Sequence, residues 1–160
     1  MKKLIISIVA ALALLATLTG VALAGKKEKK ELSLEGTMQA VETLDFTNPP
    51  IMTGTASGSG NATHLGQYTL SFEVEVNLET IAGTGTAHFM AANGDSLYAV
   101  GTGQATPTNE PDVFKVVENH TITGGTGRFA GASGNITTDR ITNLTTGITS
   151  GTISGNIVLP

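Results

Sequence analysis

Glu118 and His120 are the pair of residues best placed to do chemistry together. They stand two apart in "FKVVENHTI", in phase with the apolar residues Phe114, Val116 and Ile122. Alternate side chains of a strand share one face, so both groups are expected to point to the same interior. There they could form an acid–base pair or bind a ligand. The alternatives are a structural polar pair at the mouth of the core and a strand reversed by a bulge.

The chain contains two other histidines. His64 lies in the turn "NATHLG" before a strand, where its ring could bind a ligand or could cap a backbone carbonyl. His88 alternates with Phe89 and is therefore expected on the outer face. A zinc site would require the three imidazoles to converge, which nothing in their spacing demands, so we predict no metal. The chain has no cysteine, which excludes thiol catalysis and thiolate metal sites.

The segment "TITGGTGRFAGASG", residues 121–134, raises the question of a phosphate-binding loop. A dinucleotide loop needs G-x-G-x-x-G followed by a helix, but here the third glycine comes one residue late and β-branched residues follow. No G-K-[ST] motif occurs either, so no cofactor is predicted. We predict a sharp chain reversal instead, in addition to a hairpin turn at "NG" in which both residues take positive φ. The predicted turn residues are Asn93, Gly94, Gly124, Gly125, Gly127, Phe129 and Gly131.

Charge and composition exclude several classes of partner. The formal net charge is −4, and the only basic residues after Lys30 are Lys115, Arg128 and Arg140, so a nucleic-acid partner is not expected. Aromatic residues make up 4% of the chain and tryptophan is absent. Sugar-binding clefts and large apolar pockets usually have aromatic walls, so this composition disfavours both.

The elements that must position these residues are strands. Apolar and polar residues alternate strictly over residues 67–79, which indicates a strand with one dry and one wet face. The turn at Asn93-Gly94 predicts that residues 84–92 and 95–105 pair as antiparallel neighbours, and residues 51–66 read as a strand broken by glycines. About eight such strands follow one another with tight turns. We therefore predict an all-β fold, a single antiparallel barrel over residues 31–160.

The segment "GGTGRFAGASG" resembles the glycine-rich corner of the allene oxide cyclase and dirigent barrels. Together with "ATHLGQYTLSFEVEV" and "AANGDSL" it also resembles a family of small exported bacterial proteins of uncharacterised function, assigned to the same barrel type. The resemblance implies an eight-stranded barrel. It does not transfer an activity, because no functional residue of the cyclases or dirigent proteins matches a position here and their cavity cysteine has no counterpart.

The amino terminus reads as an export signal. A basic start, an apolar run and the exit "ALA" at residues 22–24 predict a cleaved signal peptide over residues 1–24, followed by a basic tether over 25–30. The alternative is a permanent anchor, since residues 4–24 could just span a bilayer. With cleavage, the protein is expected to be secreted or periplasmic, with no permanent membrane span.

These observations favour an exported, non-catalytic barrel that binds a small ligand or acts as an interaction module of the envelope or extracellular space. The alternative is a cyclase- or isomerase-like enzyme that acts on a small hydrophobic substrate in the lumen, with Glu118 and His120 as its candidate groups. A third hypothesis is a structural surface protein that assembles through sheet edges, and self-association stays open. A filled lumen would contradict both the ligand-binding and the enzyme hypotheses.

Overall fold

The computed structural model describes residues 28–160. The predicted signal peptide and the first residues of the tether lie outside the described residues. Eight strands follow one another, connected by short turns and, before the seventh strand, by a 3₁₀ turn at Gly127–Phe129. The strands are β1 (Lys30–Asn48), β2 (Ile51–Ala62), β3 (Gly66–Asn77), β4 (Ala82–Ala91), β5 (Ser96–Pro107), β6 (Val113–Gly125), β7 (Ser133–Asn143) and β8 (Ile148–Leu159).

Each strand pairs antiparallel with the next, and β8 pairs with β1 to close the barrel. The predicted all-β architecture of eight antiparallel strands is therefore confirmed. Closure leaves no free sheet edge among these strands, so every backbone ladder is satisfied within the barrel. Within residues 28–160, no helix has the length and apolar content needed to cross a membrane.

The alternation in β3 produces the core, as predicted. Tyr68, Leu70 and Phe72 point into the barrel and are buried, whereas Glu73 and Glu75, which follow them in the same strand, are exposed. A charged carboxylate is too costly to bury without a partner, so only this register is favourable.

Strand β2 differs from the sequence-based expectation because its glycines do not break it. It runs without interruption over Ile51–Ala62. Its glycines face inward, where neighbouring side chains occupy the space a side chain of their own would need. A Cβ at Gly60 would lie 2.5 Å from the Oη atom of Tyr68, and one at Gly58 would lie 2.5 Å from the Cβ of Ala40. The glycines thus allow close packing across a narrow barrel.

The hairpin turn between β4 and β5 forms where "NG" predicts it, but with another geometry. Gly94 has a φ of 87°, whereas Asn93 is not among the residues with positive φ. The amide of Gly94 donates to the carbonyl of Ala91, and the amide of Ala91 donates to the carbonyl of Asp95. This pattern is that of a three-residue loop whose last residue is left-handed, so only the glycine needs positive φ.

The glycine-rich segment is a corner that closes one end of the barrel, not a phosphate loop. Gly124, Gly127 and Gly131 have φ values of 152°, 56° and 73°, as a reversal built on glycine requires. Gly125 has no positive φ, and its role is steric, because a Cβ there would lie 2.7 Å from the Cβ of Phe129. Phe129 is 1% exposed and anchors the corner as predicted.

Arg128 joins the three turns at this closed end. Its Nε atom lies 3.6 Å from Oδ2 of Asp95 in the β4–β5 turn, and its Nη2 donates to the carbonyl of Leu65 in the β2–β3 turn at 3.5 Å. Leu65 and Ala132 are buried in the same apolar core as Phe129. The closed end is therefore sealed by apolar side chains and by one cation that spans its loops.

Candidate ligand site in the barrel lumen

The opposite end of the barrel, where the β1–β2, β3–β4, β5–β6 and β7–β8 turns lie, leads into a cavity of about 140 Å³. Apolar side chains form its rim, and Phe46 and Leu78 remain 48% and 39% exposed there. Its walls include Met52, Phe72 and Val116, and glycines of β4 and β5 widen it. The lumen is thus partly filled and ends in a hollow of single-ring size, since an apolar cavity of about 150 Å³ holds one benzene molecule.

Glu118 and His120 line this cavity, on the face that the alternation of β6 predicts. Their side chains are 13% and 9% exposed. The Nε2 atom of His120 lies 3.8 Å from Oε2 of Glu118, which is too long for a hydrogen bond and makes the contact electrostatic. The sequence therefore placed both residues correctly, but they do not form a hydrogen-bonded pair.

Arg140 on β7 is the partner of Glu118. Its Nε donates to Oε2 of Glu118 at 3.0 Å and its Nη2 donates to Oε1 at 3.1 Å, which makes a two-pronged contact. The guanidinium carbon also lies 5.0 Å from the centre of the Phe72 ring. The register of β6 with β7 explains this contact, because Glu118 pairs with Thr138, two residues before Arg140.

The third nitrogen of Arg140, Nη1, donates to a second carboxylate, Glu42 of β1, and to the hydroxyls of Thr142 and Thr149. The two hydroxyls are 2.9 Å apart, and Thr149 also donates to the carbonyl of Ile141. We call the set of Glu42, Glu118, His120 and Arg140 the lumen cluster. It lies in the wall that β1, β6 and β7 form, below the apolar rim.

The pKa values of the two carboxyl groups of the lumen cluster are shifted in opposite directions. Burial alone would raise the pKa of Glu118, but its contacts with His120 and Arg140 outweigh burial and lower that pKa from 4.5 to about 2. Burial dominates at Glu42 and raises its pKa despite the attraction of Arg140. Burial would lower the pKa of Arg140, yet the two carboxylates raise it, so the guanidinium stays charged.

The structure separates His64 and His88 from this site. His64 is exposed in the β2–β3 turn at the closed end, where it holds a left-handed φ of 63°, so it cannot share a ligand with Glu118 and His120. His88 lies on the outer face, as predicted, and stacks on Tyr98 with ring centres 4.9 Å apart. The three imidazoles therefore do not converge.

Arg140 and Glu42 are the site residues that sequence reasoning missed. A usable signal exists, because Arg140 is in phase with Ile136 and Thr138, and Glu42 is in phase with Met38 and Ala40. Inward-facing charges of opposite sign in two alternating strands predict a buried ion pair. What the pattern lacks is any indication that these two positions face each other.

Among solved structures, the barrel is similar to that of the pterocarpan synthase dirigent protein GePTS1, with a TM-score of 0.60. The match covers 87% of this chain and 94% of that chain. The chain has the dirigent-like barrel fold. Sequence identity is 15%, so the likeness shows the fold alone. No protein-family model and no curated protein matches the chain.

In this dirigent-like barrel, Glu118→Gln is expected to cost about 1–3 kcal/mol of folding free energy at neutral pH. Glu42→Gln is expected to change it by less than about 1 kcal/mol, because a buried charge that is incompletely compensated is replaced by a neutral group. The lowered pKa of Glu118 means that its contribution is complete above pH 4.5 and is lost as the pH falls toward about 2. The raised pKa of Glu42 means that its charge opposes folding at high pH.

Urea unfolding of both variants at neutral pH and at about pH 3 measures these differences. The loss caused by Glu118→Gln should be smaller at the lower pH. Equal losses from the two substitutions at neutral pH would show that the two carboxylates have equivalent surroundings, contrary to the contacts described.

Proposed function

We propose that the protein binds a small, largely apolar molecule in the open half of its lumen and holds a polar group of that molecule at the lumen cluster. The observation that carries the proposal is the cavity of about 140 Å³, which has an apolar rim and the lumen cluster in its wall. Ligand sites in proteins combine apolar walls with a few convergent polar groups in this way. The size of the cavity favours a ligand with one ring or a short branched chain.

The contacts of Glu118 support binding rather than catalysis. Both of its oxygens accept hydrogen bonds from Arg140, and its pKa is about 2. A carboxylate with so low a pKa is a weak base near neutral pH and is not a proton donor there. An isomerase or cyclase, the alternative, would have to use His120 or Glu42, the carboxyl with the raised pKa, which is itself bonded to Arg140.

We further propose that the protein acts outside the cytoplasm, in the periplasm or the surrounding medium. Residues 1–24 have the basic start, apolar run and small-residue exit of an export signal. Amino-terminal sequencing of the protein released by the cell is expected to begin at Gly25. Protein retained in membranes with an intact amino terminus would contradict this.

Val116→Phe is expected to abolish ligand binding because the added ring occupies the cavity that Val116 lines. Val117→Phe is the matched control, since Val117 is the next residue of β6 and points outward between Gln104 and Asp139 of the neighbouring strands. Titration with benzyl alcohol, a single ring with one hydroxyl, followed by NMR, measures binding to each variant. Natively purified protein should also release a small molecule detectable by mass spectrometry, with less of it in Val116→Phe.

Equal binding of benzyl alcohol to both variants would place the binding site outside the lumen and refute the proposal. Binding to the wild type and Val117→Phe alone would support it.

A further inference from the structure

Two turns at the open end of the barrel have similar sequences and the same hydrogen bonds. The β3–β4 turn reads N-L-E-T-I from Asn77 to Ile81, and the β7–β8 turn reads N-L-T-T-G from Asn143 to Gly147. In both turns the asparagine Oδ1 accepts from the amides two and three residues later, and the asparagine carbonyl accepts from the amide four residues later at 2.8 Å. The fifth residue is left-handed in both, with a φ of 51° at Ile81 and of 69° at Gly147. The turns therefore differ in residue type at the position where the backbone favours glycine.

Ile81 has a backbone conformation that is unfavourable for its side chain. Its branched Cβ makes a left-handed φ costly, whereas glycine adopts the same φ freely. Among residues 28–160, the other non-glycine residues with positive φ are His64 and Asp112, whose types tolerate this region better. Strain of this kind persists where the surrounding structure fixes the backbone, and it is concentrated at functional sites.

The surrounding hydrogen bonds hold the strained turn from two sides. The carbonyl of Ile81 accepts from the amide of Ala105 in β5 at 2.9 Å and from Nε2 of Gln104 at 3.1 Å. At the start of the turn, the amide of Leu78 donates to the carbonyl of Pro50 in the β1–β2 turn at 2.8 Å. The backbone at Ile81 therefore cannot relax without losing bonds to its neighbours.

The side chain of Ile81 is half-buried and lines the mouth of the cavity. The β7–β8 turn has no room for a side chain at the corresponding position, because a Cβ at Gly147 would lie 2.5 Å from the carbonyl oxygen of Glu42. The β3–β4 turn has that room and holds an aliphatic group in it. Glycine would suit the backbone of both turns, so the isoleucine is best explained by the cavity that its side chain lines.

We propose that Ile81 sets the size of the ligand that the lumen accepts, because its side chain narrows the mouth of the cavity and contacts the apolar body of the ligand. This inference rests on the proposed ligand-binding function and names a determinant of its specificity. A single methylene group in an apolar pocket changes the discrimination between two substrates by about tenfold or more, so one aliphatic side chain is sufficient for this role. The strained φ is retained because glycine at this position would leave the mouth wider.

Ile81→Gly tests the proposal, since it gives the β3–β4 turn the residue found in the β7–β8 turn. Benzyl alcohol, with one ring, and naphthylmethanol, with two fused rings, are titrated into the wild type and the variant and followed by NMR. The wild type is expected to bind benzyl alcohol about tenfold or more tightly than naphthylmethanol. Ile81→Gly should weaken the binding of benzyl alcohol by about threefold to tenfold, because an apolar contact is lost. It should tighten the binding of naphthylmethanol, so that the preference for one ring disappears.

Ile148→Gly is the matched control. Ile148 follows Gly147 in the chain and is 57% exposed on the outer face, so its removal should leave both affinities unchanged. Thermal unfolding without a ligand provides a second measurement, because glycine relieves the strain of a left-handed φ. This gain offsets the loss of a half-buried side chain, so the melting temperature of Ile81→Gly should stay within about 4 °C of the wild type.

The outcomes separate this inference from the proposed function. If the wild type binds benzyl alcohol and Ile81→Gly keeps the wild-type preference, Ile81 does not set the size limit, and the lumen site remains. A lower melting temperature with unchanged affinities would identify Ile81 as a packing residue and would also overturn the inference. If neither probe binds to the wild type, both proposals are wrong. Loss of the one-ring preference in Ile81→Gly, with its retention in Ile148→Gly, would support the role assigned to Ile81.

Discussion

Arg140→Met is expected to lower the free energy of unfolding by about 3–5 kcal/mol at neutral pH, the range for breaking a buried ion pair from one side. The side chain is 5% exposed, and its nitrogens donate to two carboxylates and two hydroxyls. Methionine has a similar length but no donor, so Glu118 and Glu42 would be left buried without a counter-charge. Urea unfolding followed by circular dichroism measures the loss.

Protonation should relieve part of this loss. Without Arg140, burial raises the pKa of both carboxyls, so the variant is expected to regain stability relative to the wild type as the pH falls. The matched control adds Glu118→Gln and Glu42→Gln to Arg140→Met. This triple variant has no buried charge and should recover most of the lost stability, because neutral replacement of a whole buried ion cluster is often tolerated. Wild-type stability in Arg140→Met alone would contradict the role assigned to the ion pairs.

Phe129→Ala is expected to cost about 3–5 kcal/mol, the range for removing a large aromatic side chain from a core. The ring is 1% exposed and lies beneath the glycine-rich corner, with the Arg128 guanidinium 4.8 Å from its centre. The corner is a chain reversal in which Gly124 and Gly127 have positive φ. Its backbone therefore has little freedom to move into the space that the ring leaves. The cavity that remains adds to the lost burial.

Phe46→Ala is the matched control for this prediction. Phe46 lies on the opposite rim and is 48% exposed, so its truncation should change the free energy of unfolding by less than about 1 kcal/mol. Thermal and urea unfolding of the two variants compare the ends of the barrel directly. Equal losses from both would mean that the glycine-rich corner does not seal the core.

Local sequence patterns determined the strands and which side chains point inward. The alternation of β3 and of "FKVVENHTI" predicted the inward faces, including Glu118 and His120, and glycine chemistry predicted the corner at residues 121–134. These features depend on residues close in sequence, through the two-residue period of a strand and the freedom of glycine at positive φ. The same local rules predict turn geometry less well. Both residues of "NG" were expected at positive φ, but in the β4–β5 turn only Gly94 is left-handed.

Only the tertiary structure decided which inward groups meet. Arg140 is 22 residues from Glu118 and 98 from Glu42, and the contacts depend on the register of β6 with β7 and on the closure of β8 against β1. A shift of either register by two residues would keep every side chain on its own face and still separate the charges. Alternation specifies the face of a side chain but not its height in the barrel. That height is set by the packing of all eight strands together, and it determines which groups form the lumen cluster.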